Sequence, residues 1–312
     1  MPPEVVGGAR TVPVRRGRQP RAAHEIIRTR LSVASAALGD RARAGRTTTN
    51  FRMHGVRGAS VTFSFPCAPR RSKVVAMLTF DSLDGALLVD KPAGPTSHDV
   101  VENIRHHLGI KKVGHCGTLD PNATGLLIIL LGRGTKLSEK LMSDDKVYSG
   151  SIKFGETTDS YDVDGALLAS LPVLPMTLEE LNTAADEFVG DLMQTPPMVS
   201  AVKKDGVPLY KLARKGIEVE RKARLIHIYT FRFTRYQEPF GHFRVACTKG
   251  TYVRSLAHEL GQKLGCGAHL ANLRREVSGK YDVDDALEYE TVLKLPASEL
   301  EKRVIPFLKL AG

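Results

Sequence analysis

The 312-residue sequence predicts an α+β fold with a mixed, mostly antiparallel sheet flanked by helices. Three observations support this. Short alternating or fully apolar runs of strand length recur. Some of them adjoin one another and others are separated by single amphipathic helices, and no regular βαβ repeat emerges. The hydrophobic fraction of 42% and charged fraction of 25% are those of an ordinary globular chain, which excludes collagen-like and wholly disordered classes. The longest apolar run, Leu126–Leu131, is far short of the ~20 residues of a membrane-spanning helix.

Charge divides the chain. Residues 1–76 carry fifteen basic and three acidic side chains, and fourteen of the fifteen are arginine. Residues 77–312 carry thirty basic and thirty-one acidic side chains, so the net charge of +11 belongs to the first quarter. Three readings of that quarter compete. It is a basic arm that grips RNA phosphates, an organelle-targeting segment, or translated upstream sequence with the true start near Met77. The Lys-poor, unpatterned composition favours the last, with no packed structure expected over 1–76. Four scattered cysteines form no CxxC pair or zinc-spaced cluster, so reduced thiols in a cytoplasm are the default.

From Met77 the pattern becomes regular. Gly85–Asp90 reads as a buried strand closed by the Lys91-Pro-Ala-Gly-Pro95 turn. Ser97 is the expected N-cap of a helix with Val100, Val101, Ile104 and Leu108 inward and Gly109 as its stop. Leu126–Leu131 reads as a buried strand, and residues 147–154 alternate with Tyr148, Ile152 and Phe154 on one face. Thr177 and Glu180 form a capping box for a helix burying Leu181, Ala184, Ala185, Phe188 and Leu192. Residues 194–224 read as a loop-rich subdomain. Strands near 225–234 and 242–248 follow, then a helix carrying Val253, Leu256, Ala257, Leu260 and Leu264.

The loop Gly114-His-Cys-Gly-Thr-Leu-Asp120-Pro-Asn-Ala-Thr-Gly125 joins a helix to a strand with three glycines, a proline and an asparagine. Such rigidly framed loops are where catalytic groups sit. A lone Asp-Pro is ordinarily a turn. Here the loop resembles the signature of the TruB family of tRNA pseudouridine synthases, and it is not alone. Gly85–Ser97, Asp145–Tyr148, Thr157–Asp162, Gln194–Lys203 with Leu209–Gly216, and Gly250–Leu256 with Leu264–Arg275 resemble further family blocks, in family order across roughly 83–285.

The resemblance implies a pseudouridine synthase fold with a loop-rich insertion at about 172–224 in a catalytic domain of 77–285. It implies isomerisation of the T-loop uridine of tRNA, position 55, without metal or cofactor; a monomer is the default expectation, and the short apolar runs call for no membrane. It assigns the catalytic carboxylate to Asp120 and its guanidinium partner to Arg254. Tyr148 stacks on the uracil, Tyr252 walls the pocket, and His115 serves tRNA binding and base extrusion. Lys91 is structural beside the loop. Lys203, Lys204, Lys211, Arg214 and Lys215 form a phosphate track, against the plain alternative of a solvated charged face.

Cys116 stands where the family often has Thr, and Gly134 where Ala is usual, which is expected to loosen the following turn. The 27 residues 286–312 are too few for a PUA domain and predict a remnant helix near 298–308. A tRNA-folding helper with dispensable catalysis and a guide-RNA-dependent rRNA synthase are the competing readings. Intact site residues count against the first and the short tail against the second.

Overall fold

The computed structural model describes residues 83–200 and 202–311. The readings of residues 1–76 lie outside them. Strand β1 (Gly85–Lys91) leads to helix α1 (Ser97–Leu108), then β2 (Val113–Cys116) and β3 (Thr124–Leu131). The N-cap of α1 is Thr96, not Ser97. The Thr96 hydroxyl accepts from the Asp99 amide and the Asp99 carboxylate accepts from the Thr96 amide, a reciprocal capping box. Ser97 is instead the first helical residue. Its buried hydroxyl donates to the Leu119 carbonyl and accepts from the Leu119 amide, both at 2.9 Å, tying α1 to the Asp120 loop. Gly109 ends the helix in the left-handed conformation, as expected.

A 3-10 turn over Gly132–Leu137 leads into α2 (Ser138–Met142) and β4 (Lys146–Phe154). Gly134 does not loosen that turn. A Cβ there would lie 2.0 Å from the Gly85 carbonyl oxygen, so the close approach of turn and β1 requires glycine. The hairpin β5 (Glu156–Thr158) and β6 (Leu167–Ser170) follows, then α3 (Leu178–Asp186) and β7 (Gly190–Gln194). The Thr177–Glu180 capping box forms, but α3 ends at Asp186, so Leu192 lies on β7 rather than on the helix.

The small hairpin β8 (Lys203–Lys204) and β9 (Val207–Pro208) and helix α4 (Leu209–Ala213) make up the loop-rich excursion. It starts later than about 172. Helix α3 packs on the sheet, and β7 is the sheet's edge strand, so both belong to the main body. The long hairpin β10 (Arg224–Gln237) and β11 (Phe240–Cys247) then leads to α5 (Val253–Lys263) and β12 (Ala268–Ser278).

The chain ends with β13 (Tyr281–Asp282), β14 (Leu287–Glu288), α6 (Tyr289–Lys294), α7 (Ala297–Glu301), β15 (Ile305–Pro306) and α8 (Phe307–Ala311). The single remnant helix near 298–308 is therefore replaced by short helices broken by β15. Nor is residue 285 a structural boundary. Strand β14 pairs parallel with β1, and β15 pairs antiparallel with it. Tyr289, Val292, Leu300 and Leu310 are buried in the cores.

One sheet of order β14-β1-β3-β12-β4-β11-β10-β7 spans the fold. Among the described strands of this sheet only the β1–β14 and β3–β12 pairings are parallel, which gives the mixed, mostly antiparallel sheet that the sequence predicts. One core lies between the sheet and α3 and α5, built on Phe154, Phe231, Phe243, Leu256 and Leu260. Another joins α1, α6 and α7 to β1 and β3. Strand β3 is buried on both faces, with Leu126, Ile128 and Leu130 facing a third cluster. This is why its sequence is a continuous apolar run and not an alternation. Among the described residues no helix is long and apolar enough to cross a membrane.

Candidate active site

The loop between β2 and β3 carries Asp120 at the floor of a cleft. Lys91, at the end of β1, fixes the loop from beneath. Its fully buried ammonium donates to the carbonyls of Pro92 (2.9 Å), Pro121 (2.9 Å) and Ala123 (2.7 Å). The Gly94 amide adds a bond to the Pro121 carbonyl at 2.9 Å. Gly125 closes the loop at φ +98°, where a Cβ would meet the Arg275 carbonyl oxygen at 2.3 Å. Strand β12 therefore approaches the loop too closely for a side chain.

Arg254, in the first turn of α5, sets its guanidinium among five oxygens here. Nε forms an ion pair with Asp120 Oδ2 at 3.1 Å, and Nη2 donates to Asp120 Oδ1 at 3.4 Å. Nη1 donates to the Ser160 carbonyl at 3.2 Å and Asp162 Oδ2 at 3.1 Å, and Nη2 also to the Val199 carbonyl at 2.8 Å. The guanidinium is nearly sealed, whereas the Asp120 side chain keeps 41% of its surface open toward the cleft. Crowding by protein raises the Asp120 pKa above the ordinary carboxylate range. Arg254 opposes that rise, Asp162 and Asp164 add to it, and Lys91 also opposes it.

The cleft has a volume of about 530 Å³ and is walled by Tyr148, Tyr252, Lys146 and Arg275 beside Asp120 and Arg254. Such a volume is in the range of small-ligand sites. Tyr148 lies on β4, and burial raises its phenol pKa, with Arg275 opposing. A phenol held neutral in this way presents a ring to stack and a hydroxyl to donate, and is a poor base. Tyr252 precedes α5, clamped by Gln194. The Gln194 side chain accepts from the Tyr252 amide at 2.7 Å and donates to its carbonyl at 3.1 Å.

Of the residues expected from sequence, Asp120, Arg254, Tyr148 and Tyr252 meet in this cleft, and Lys91 lies under its floor. His115 does not line it. It lines a second cavity of about 610 Å³, with His98, Tyr210 and Arg214. Both cavities share Asp120 and Arg254. The His115 Nδ1 is buried without a hydrogen-bond partner, and burial lowers the imidazole pKa, with Arg275 and His98 acting in the same direction. The Arg214 guanidinium lies 5.6 Å from the Tyr210 ring centroid. Lys204, Lys211 and Lys215 are exposed on the excursion, and the Lys203 backbone forms β8.

The sequence reading assigned no role to Lys146, Asp162 or Arg275. Arg275 is almost fully buried and donates to the carbonyls of Leu126 (2.7 Å) and Gly117 (3.1 Å), bracing both ends of the Asp120 loop. Its neighbour Arg274 faces the other way and pairs bidentately with Asp90. The only local signal was two adjacent arginines on a strand, one of which must face inward.

The fold is that of the pseudouridine synthases. A solved Cbf5-Nop10-Gar1 complex contains a chain 27% identical that superposes with a TM-score of 0.58, over 73% of this chain and 62% of that one. The family model for the N-terminal domain of TruB family pseudouridylate synthases matches residues 105–253. That for the tRNA pseudouridylate synthase B C-terminal domain matches residues 254–308. The tRNA pseudouridine synthase B of Opitutus terrae is 56% identical over 229 residues, 73% of this chain and 95% of that protein. That of Chlamydia pneumoniae is 46% identical over 212 residues, covering 68% and 89%. The chain belongs to the TruB family of pseudouridylate synthases.

Proposed function

We propose that this chain isomerises the T-loop uridine of tRNA, position 55, to pseudouridine, acting as a monomer in the cytoplasm with no metal or cofactor. The observation that carries this reading is Asp120, held by the Nε–Nη2 edge of the Arg254 guanidinium and open toward a cleft walled by two tyrosines. Departure of uracil from C1′ leaves positive character on the ribose, and a carboxylate is suited to meet it, as in glycoside cleavage. Attack on the sugar, attack on C6 of the ring, and assisted proton loss from C2′ all need that carboxylate ionised and oriented. Arg254 supplies both conditions.

Tyr148 stacks on the uracil while it is detached and turned over, keeping it in the cleft for C–C bond formation. The target base must first leave the helical stack, and His115, in the cavity that also borders Asp120, is suited to assist that extrusion. Arg214, Lys204, Lys211 and Lys215 on the excursion offer phosphate contacts, with Lys203 beside them in the sequence.

The test is pseudouridine formation on an unmodified tRNA transcript. The intact chain should modify the T-loop uridine. Asp120→Asn should lose at least about a thousandfold in single-turnover rate while still binding tRNA, as expected for a group acting in the transition state. Product from both proteins would remove Asp120 from the chemistry, and product from neither would refute the reaction.

A further inference from the structure

The turn that grips the Arg254 guanidinium contains a residue in a conformation side chains rarely adopt. Tyr161 has φ +66°. A bulky residue in the left-handed region is an outlier that its surroundings must hold in place. This geometry turns the chain so that the carbonyl of residue 160 and the side chain of residue 162 meet the same Nη1 of Arg254. The other oxygen of Asp162 is occupied by the Ser160 hydroxyl (2.5 Å) and the Asp164 amide (3.1 Å), so the carboxylate has one orientation available.

What holds Tyr161 is a stack. Its ring lies on the imidazole of His258 with centroids 3.9 Å apart and planes 14° from parallel. His258 is on α5, one helical turn after Arg254, on the same face. The His258 Nδ1 is buried with no hydrogen-bond partner, and the contact with Tyr161 is made by the flat face of the ring. The Tyr161 carbonyl accepts from the Leu270 amide at 2.9 Å, which fixes the other side of the turn to β12. The turn is therefore anchored to the helix that carries Arg254 and to the strand that carries Arg275.

We infer that the Tyr161–His258 stack is a positioning device for the pseudouridylation step, holding the 158–165 turn so that Ser160 and Asp162 fix Arg254, and through it Asp120. Neither ring lines the cleft, so both act through the guanidinium. The activity part of the inference rests on the proposed function. The geometric part does not.

The test uses the full chain with two readouts. One is the single-turnover rate of pseudouridine formation beside tRNA affinity. The other is the Arg254 Nε–H resonance in arginine-labelled protein, assigned by its loss in Arg254→Lys. Tyr161→Ala should slow the chemical step at least tenfold with tRNA affinity within twofold, and should broaden or shift the Nε–H resonance. Tyr161→Phe, which keeps the ring, should restore both. In an Arg254→Lys background Tyr161→Ala should add little further loss. His258→Ala should reproduce the effects from the other partner, and it serves if Tyr161→Ala does not fold. An unchanged resonance with a rate within twofold of the parent, or losses that multiply fully in the Arg254→Lys background, would overturn the inference. If the parent chain makes no pseudouridine while the resonance responds as described, the functional reading fails and the positioning role stands.

Discussion

Asp120 and Lys91 show how one buried cluster sets opposite electrostatic demands on an acid and a base. Burial raises the Asp120 pKa, and Arg254 limits the rise. The acid limb of kcat/KM should therefore lie above the ~3.9 of a free aspartate, since the ionised form is lost as pH falls through the raised value. Arg254→Gln should move that limb further up, because it removes the opposing positive charge. A limb that stays in place would separate Asp120 from the titration. Lys91 is driven the other way, to about 8, chiefly by burial. Three carbonyls need three donors, which the Lys91 ammonium has and the neutral amine lacks. Lys91→Met should strand those carbonyls and lower unfolding stability by roughly 2–4 kcal/mol, measured by denaturant titration. Part of the cost of burying the Lys91 charge is relieved as pH rises from about 8 toward 10.5, because the unfolded chain binds the proton more tightly over that window.

At the level of elements, strand β3 and helices α1 and α3 follow their local sequence closely. Leu126–Leu131 forms the strand buried on both faces that its apolar run predicts, and the Thr177–Glu180 box starts its helix where the pattern says. The misplacement of the α1 cap has a simple cause. Thr96 and Ser97 are both good caps, and the choice fell to Leu119, whose backbone uses the Ser97 hydroxyl. Leu192 kept an apolar inward position while changing element, because periodicity over one turn does not separate a helix end from a strand start. The excursion over 195–223 yields an element-level prediction. Lys211→Glu, Arg214→Glu and Lys215→Glu together should weaken tRNA binding and flatten its salt dependence. The slope should fall by up to about 0.7–0.9 for each phosphate that is no longer neutralised. Unchanged affinity and slope would leave these residues as a solvated face.

At the level of the whole molecule, the C-terminal segment completes the fold. It covers β1 with β14 and β15 and fills two cores with Tyr289, Val292, Leu300 and Leu310. Full burial of such side chains contributes about 1.5–3 kcal/mol each, and four together rival the net stability of a typical domain. Truncation after residue 285 should abolish cooperative unfolding, read by circular dichroism during heating. A sharp transition in the truncated chain would show that the sheet stands without it.

What is local in this protein was legible in its sequence. Glycines and a proline made the Asp120 loop, apolar spacing made the strands and helices that frame it, and ordered motifs pointed to Asp120, Arg254 and Tyr148 before any contact was known. What depends on distant chain segments meeting emerged with the packed fold. Asp120 and Arg254 are 134 positions apart and share an ion pair, His115 faces a different cavity from Tyr148, and Arg275 and Asp162 brace the site from separate elements. The physical reason is that backbone preference and periodicity act over a few residues. The partners of a buried charge are chosen by whichever segments the packed sheet brings within hydrogen-bond reach.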